Sequence, residues 1–584
     1  MFLKQSPRKE TGRNYLIIAK KVRDPATGKY TDATIESLGY LDEYLDKYPD
    51  PIAHFREIAR KMTEEEEARR RVTLELDMDE TLPEDTDNRK NLGYAAILKI
   101  YHQLGLPQFF NNKARHRDFE YSPNAVMTLL VVSRILSPGS KKKAFEEKGR
   151  YFERFDFSLV DVYRSLSFFA PLAKEVQRHI NEQIVARYGP RDTRTVYYDV
   201  TNFYFEIDKE DELRKRGYSK ERRRDPIVQM GLAMDADGVP LHYELFPGNV
   251  PDKSTFRSVI GEVRRNYDTG RIIVVADMGI ITGDNIYYLV GGEKREKALN
   301  GYVMSFSIPG ATGKFQEYVL DRREYRSSDG KPGKDDADFI IKSRMDAREI
   351  NVTMNSGKTK KKTVYEKQVV FWSKKYADKA GAEREKVIQK AVAMIKDPGK
   401  YTKATAYGAA KYVMNIDYDD STGEVIAKGS ALLLDEGKIR EEEKFDGYYA
   451  IVTSEINMPD EEIVDTYRGL WEIEESFRIT KGDLEARPVH VSRPDRIEAH
   501  FLSCFIALVI MRLLQKHTGR RYSCEKIADR LNRVSCSRED GSIYLLDYRS
   551  EISDAIGKAL DIGFAKKRLR LCDIKGIIAN TKKK

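Results

Sequence analysis

Cysteine is scarce in this chain: four residues in 584, Cys504, Cys524, Cys536 and Cys572, with no Cys-x-x-Cys pair among them. The histidines number only eight and are scattered, so a zinc finger or ribbon is excluded and a disulfide framework is not expected. Long apolar runs are also missing. The longest, Phe501 to Met511, ends at Arg512, well short of the ~20 residues that cross a bilayer, and reads as a buried helix. The opening Met1-Phe-Leu-Lys-Gln-Ser-Pro7 has no apolar signal core. No Walker-type phosphate loop and no internal repeat is present. These absences predict a cytoplasmic protein with no membrane partner and no nucleotide cofactor. Charge is nearly balanced as well: 102 basic against 93 acidic residues leaves +9, which suits a polyanionic partner without demanding one.

At this length one core does not suffice, and the patterning divides the chain. Residues 1–80 read as a small β-hairpin and helix unit, with a turn at Asp24-Pro-Ala-Thr-Gly28. Residues 90–190 read as a helical module (Tyr94 to Leu104, Pro123 to Leu136, Leu159 to Phe169, Ala173 to Arg187) interrupted by Ser137-Pro-Gly-Ser140 and a basic Lys141-Lys-Lys143. Either DNA contact or plain helical packing accounts for it. From 191 to 309 strands dominate: Val196 to Phe205, then Pro226 to Asp235 and Pro240 to Phe246 about an Asp237-Gly238 turn, then Arg271 to Asp277 and Gly301 to Ile308. That β-β-β-α-β order opens a ribonuclease-H-like α/β sheet. Residues 310–445, with basic turns such as Lys358-Thr-Lys-Lys-Lys362, read as a β-rich insertion domain; residues 446–520 resume the core, and 521–584 form a C-terminal helical region.

Three carboxylates stand in informative places. Asp199 lies mid-strand in Tyr197-Tyr-Asp-Val200, where a buried charge is out of place unless paired or metal-bound. Asp277 ends the run Ile272-Ile-Val-Val-Ala276; capping the next turn is its ordinary alternative. Glu474 lies in Tyr467-Arg-Gly-Leu-Trp-Glu-Ile-Glu-Glu-Ser-Phe-Arg-Ile-Thr-Lys481, a window predicted to be one helix. At ~100° per residue Tyr467, Glu474, Arg478 and Lys481 share an edge, while Leu470, Ile473, Phe477 and Leu484 form an apolar stripe that packs on a sheet. Two strand-borne aspartates and a helix-borne glutamate suit a pair of Mg²⁺ ions ~3.5–4 Å apart, the arrangement for in-line attack at phosphorus. An exposed charged face is the ordinary alternative for the Glu474 helix. Trp372 and Trp471 suit either base stacking or, more commonly, burial. His500 reads as structural.

Taken together, Tyr198-Asp-Val-Thr-Asn-Phe-Tyr-Phe205, Gly217-Tyr-Ser-Lys220 with Arg224-Asp-Pro226, Phe246-Pro-Gly-Asn249 with Asp252, Ala276-Asp-Met-Gly-Ile280 with Asn285, and Tyr467 to Lys481 with Arg487-Pro488 and His500 resemble a DDE transposase of a bacterial insertion sequence. The group is the one with a β-rich insertion before the Glu and a Tyr-Arg-Glu-Lys signature. The resemblance implies Asp199, Asp277 and Glu474 as the catalytic metal-binding triad, and Tyr467, Arg468, Arg478 and Lys481 as DNA contacts. The signature Arg ordinarily follows the Tyr by three; Leu470 stands there, and Arg468 or Arg478 takes its place. It further implies Mg²⁺, with Mn²⁺ as substitute and two ions, and a homodimer at the synapse. The DNA partners are double-stranded terminal inverted repeats and target DNA, in a prokaryotic, nucleoid-associated setting. Cleavage and strand transfer follow; a nuclease of the same fold without joining and an inactive DNA-binding relic are the alternatives.

Overall fold

The computed structural model describes residues 1–583 apart from 9–11, 24–29, 71–78, 80, 85, 208, 218–224, 268–269, 278, 281, 292–299, 328–336, 355, 403–404, 420–423 and 428–430. Two compact units result, Met1–Thr86 and Asp87–Lys584. In the first, β1 (Phe2–Pro7), β2 (Asn14–Arg23) and β3 (Tyr30–Tyr40) form an antiparallel sheet in that order, followed by helix α1 (Pro51–Arg70). Leu16, Ile18 and Ala19 are buried, as are Phe55 and Ala59 of α1. The expected hairpin is thus a three-stranded sheet; its Asp24–Gly28 turn lies outside the described residues.

The second unit begins with β4 (Arg89–Asn91) and a helical module: α2 (Tyr94–Gln103), α3 (Leu106–Ala114), α4 (Pro123–Leu136), α5 (Lys141–Glu146), α6 (Leu159–Phe169) and α7 (Ala173–Tyr188). The module packs round one apolar helix, Pro494–His517. That helix is long and apolar enough to cross a membrane, yet 94% of its apolar window is buried within the protein, as the expectation of a core helix requires. Lys141 departs from the expected basic turn. It is buried with its Nζ against His500 Nδ1, while His500 Nε2 lies 3.0 Å from the Ala486 carbonyl. That carbonyl can only accept, so Nε2 carries the proton and Nδ1 accepts from Lys141. Arg134 donates to the carbonyls of Leu484 and Glu485 (3.2 and 3.0 Å), so a guanidinium and an imidazole, the latter backed by Lys141, clasp residues 484–486.

The principal sheet has eight strands. β5 (Thr195–Tyr204), β6 (Ile227–Met234), β7 (Pro240–Pro247), β8 (Ile272–Ala276), β9 (Asn300–Ser305), β10 (Phe339–Thr353) and β11 (Thr359–Ser373) join the Tyr448–Thr453 strand in the order β10, β11, 448–453, β9, β8, β5, β6, β7. β5, β8 and β9 are parallel, and the remaining neighbours pair antiparallel. β6 is buried along its whole length, so it reads as an unbroken apolar run rather than alternating. The β6–β7 connection turns at Gly238 (φ +65°), where a left-handed conformation favours glycine. Helix α8 (Asp252–Asn266) packs on β6 and β7, and α9 (Gly283–Leu289) follows β8 on the same back face. The helices after residue 460 cover the front face.

Two regions depart from expectation. The longest strands of the 310–445 segment, β10 and β11, extend the principal sheet, and α10 (Gly313–Leu320) and α11 (Lys374–Lys396) accompany them. The 521–584 region carries helices but also the strands Ser535–Asp540, Ile543–Leu546 and Arg568–Arg570, which make a four-stranded sheet with β4. These strands are three to six residues long, too short for a period of two to stand out.

Burial holds the imidazoles of His242 on β7 and His102 on α2 down at about 4. Both lie below the ordinary value of ~6.5, so the unfolded chain binds the extra protons. Their contribution to stability is complete above pH ~6.5 and is lost as pH falls towards 4. His242→Gln should therefore make stability fall less steeply with acid than wild type over that window, read from urea unfolding at successive pH values.

Candidate active site

The parallel pairing of β5 and β8 sets Tyr197 beside Val275. Two residues further along each strand are Asp199 and Asp277, on the same face and at the same level. Adjacent strands lie ~4.8 Å apart, so the two carboxylates are neighbours. β8 and β9 repeat the logic: Ala276 pairs with Met304, and the next position brings Asp277 against Ser305, whose Oγ donates to Asp277 Oδ1 at 3.1 Å. Asp199 Oδ1 accepts from the Val200 amide at 2.7 Å. The front face thus presents Asp199 midway along β5, Asp277 just past β8 and Ser305 at the end of β9 in a row across three parallel strands.

The loop after Asp277 is tied down by Asn285, whose Nδ2 donates to the carbonyls of Ile280 (2.8 Å) and Lys253 (2.9 Å). The other motif residues also have a physical cause. A Cβ at Gly217 would lie 1.8 Å from the Gly248 carbonyl oxygen, and one at Gly248 would lie 2.3 Å from those of Ile227 and Lys215, so these backbones touch only because both are glycine. Residues 218–220 and 224 of the same motif lie outside the described residues.

The expected single helix over 467–481 is three pieces: a helix Asp460–Arg468, a second helix Trp471–Arg478, and a π-helical turn Ile479–Asp483. The junction falls at Gly469, where a Cβ would lie 2.0 Å from Tyr197 Oη; that hydroxyl donates to the Thr466 carbonyl at 3.1 Å. Only glycine lets the chain come so close to β5. Sequence reasoning passed over Gly469, although a glycine inside a helical pattern is a signal for such an approach. The π turn shifts Lys481 off the wheel position computed at ~100° per residue. Its Nζ lies 5.6 Å from the Phe203 ring centre, and the Arg487 guanidinium lies 5.5 Å over Tyr204, so both cations meet the far end of β5.

The apolar stripe behaves as expected: Leu470, Ile473, Phe477 and Leu484 are all buried. Glu474, on the edge adjacent to that stripe, is exposed. Its neighbours are engaged elsewhere. Arg512, 4% exposed in the Pro494–His517 helix, reaches Glu475 Oε2 at 2.7 Å and Glu472 Oε2 at 3.2 Å, and donates to Ser476 Oγ and the Glu472 carbonyl, each at 2.7 Å. Arg520 holds the other Glu472 oxygen at 2.7 Å. Burial raises the Glu472 carboxyl above its ordinary value against the pull of both arginines. Trp471 is 54% exposed, beside Glu474, contrary to the expectation of burial, whereas Trp372 is half-buried and donates to the Asp446 carbonyl at 3.0 Å.

Tyr467 approaches the aspartates from the Asp460–Arg468 helix. Its hydroxyl is 3.2 Å from that of Tyr449, and burial, then Tyr449, then the Asp277 carboxylate raise its phenol above the ordinary value. Arg468 points elsewhere, paired with Asp465 at 3.2 Å and 5.7 Å over the Phe339 ring. Arg478 pairs with Asp483 at 3.2 Å and stays half-exposed. Among the described residues no three His, Cys, Asp or Glu side chains stand close enough together to hold a metal ion, so the two aspartates meet but Glu474 is not gathered with them. Next to Asp277 a cavity of about 650 Å³ opens between Ser305, Tyr449, Phe445 and the α11 residues Arg384 and Val387.

Arg512→Ala should destabilise the protein by ~3–5 kcal/mol, because it strands a buried carboxylate. Glu474→Ala, on the exposed side, should stay within ~0.5 kcal/mol of wild type. Urea unfolding followed by circular dichroism reads both.

Residues 190–510, more than half of the chain, match the family model of the transposase DDE domain, and residues 3–73 match that of the N-terminal domain of IS1634 family transposases. No curated protein matches the chain. The aspartates, the signature helices and the strands between them all fall within the larger match. The chain belongs to the DDE transposases of bacterial insertion sequences, which are metal-dependent polynucleotidyl transferases.

Proposed function

We propose that the chain binds the terminal inverted repeats of its own element, cleaves the DNA there and joins the freed 3′-OH to target DNA. The observation that carries this reading is the register that sets Asp199 beside Asp277 on adjacent parallel strands, with the Glu474 helix packed on β5 across the same face. The strand order β7-β6-β5-β8-β9, third-second-first-fourth-fifth in the chain, supports a ribonuclease-H-like core. Residues 310–445 are then its insertion, two of whose strands lengthen the sheet.

The donor set fits a hard divalent cation such as Mg²⁺, for which Mn²⁺ substitutes: carboxylate oxygens from adjacent strands, with a serine hydroxyl alongside. Bound cations would supply an activated water and charge neutralisation at the leaving oxygen. Asp199 and Asp277 hold them, and Glu474 is free of the Arg512 clamp and can complete the set. Tyr467, wedged beside Asp277, orients that carboxylate and the sugar-phosphate next to it. Lys481 and Arg478 meet phosphates on either side, and Trp471 offers an exposed ring for a base. Arg468, engaged with Asp465 and Phe339, takes no phosphate role in this reading. A homodimer brings the two element ends together.

Purified protein incubated with labelled inverted-repeat DNA in Mg²⁺ or Mn²⁺ should give cleaved ends and joined product, both lost in EDTA. Asp199→Ala, Asp277→Ala and Glu474→Gln should each lower both products by at least ~10²–10³-fold while retaining DNA binding. Cleavage without joining would point instead to a nuclease, and binding with no cutting in either metal to a DNA-binding relic.

A further inference from the structure

β11 pairs with the 448–453 strand only over Lys367–Trp372, whereas its pairing with β10 continues to Thr353 opposite Thr359. Eight residues of β11 therefore run on as a two-stranded arm, ~25 Å long at ~3.3 Å per residue. The arm does not float. Ile350, Val352 and Val364 are buried in the back-face core with Ile286 and Leu289 of α9. The Thr353 amide donates to Asp284 Oδ1 at 2.5 Å, and Gly283 lies so close that a Cβ there would meet the Asn351 carbonyl oxygen at 2.2 Å. Lys362 Nζ sits 5.6 Å from the Tyr287 ring centre. The tip is thus fastened to the first turn of the helix that follows Asp277. Asp284 follows Asp277 by seven positions, which puts their Cα atoms within ~25 Å of each other.

The tip, Ser356-Gly-Lys-Thr-Lys-Lys-Lys362, carries four lysines and no acid. Lys358 and Lys360 are exposed and have no acidic partner among the described residues, while Lys361 makes only an exposed pair with Glu349 at 3.0 Å. Such a pair is weak and gives way to a stronger anion. Around these cations stand Thr353, Ser356, Gly357 and Thr359, small groups that keep the tip slim and offer little to read a base edge. Lysine is a compact, hydrated point charge suited to a phosphate rather than to base-specific pairing. We infer that this arm is a DNA-phosphate contact, in which Lys358 and Lys360 grip the backbone of the duplex flanking the reacting phosphate without regard to sequence. The inference rests on the transposase reading above and adds a site to it.

The test is fluorescence anisotropy of the full chain with a labelled random duplex and with a duplex bearing the element end, at 50 to 200 mM salt. Each lost phosphate contact lowers the slope of log affinity against log salt by ~0.9, so Lys358→Ala/Lys360→Ala should lower it by ~1.8 on both duplexes. Lys358→Arg/Lys360→Arg should keep the wild-type slope, and thermal unfolding should be unchanged in both. A double-alanine variant with the wild-type slope overturns the arm's role. So does a variant that changes only the self-association of the protein, because the lysines then face a second copy. Failure of the wild type to bind either duplex overturns the transposase reading itself.

Discussion

A single buried guanidinium decides which carboxylate of the signature helix faces outward. Arg512 is 4% exposed and takes Glu472, Glu475, Ser476 and a helix carbonyl together. A charge so deeply placed is tolerable only because its hydrogen-bonding groups are met. The consequence is rotational. With Glu472 and Glu475 drawn to the core helix and Leu470, Ile473 and Phe477 buried, Glu474 is the one glutamate of the three left to the front of the helix. Rotation of this helix in either direction would expose apolar surface and unpair buried charge at the same time.

The aspartates depend on a different constraint, strand register. Parallel β5 and β8 hold their backbones in step, so one residue choice midway along β5 and one just past β8 place two carboxylates side by side. A slip by one residue would turn Asp199 to the back face, among Phe256, Val259 and Ile260. The buried alternation of β5 prevents this: Val196, Tyr198 and Val200 fill the back core, while Tyr197 and Phe203 fill the front. Asp199 belongs to the front set and is partly exposed.

Much of this was legible in the residues. β5 to β9, the Asp237-Gly238 turn, the core helix and the apolar stripe of the Glu474 helix all follow from periodicity and turn chemistry. What stayed hidden depends on distant partners. Lys141 looked like one of three surface lysines, and nothing local announces that His500, 359 residues away, receives it. The break at Gly469 follows from a tyrosine on β5, and the π turn is held by the clasp that Arg134 and His500 place on residues 484–486. β10 and β11 show strand patterning, but no local signal says that they lengthen the main sheet. Trp471 runs against the tendency of tryptophan to be buried, because it stands exposed at the first position of its helix.

Tyr197 links these constraints. It lies two residues before Asp199 on the same face of β5, and its hydroxyl fixes the Thr466 carbonyl while pressing against the bare Cα of Gly469. The helix carrying Glu474 starts two residues later. The strand that supplies the first aspartate therefore also sets the height of the proposed glutamate, through one hydrogen bond and one missing side chain. A larger residue at 469 would lift the helix, and Glu474 with it, from β5 without touching a carboxylate. Geometry at this site is thus maintained by groups that carry no charge, while Arg512 fixes the rotation about the helix axis. Height and rotation are the two coordinates that a helix-borne ligand must satisfy to meet two strand-borne ones.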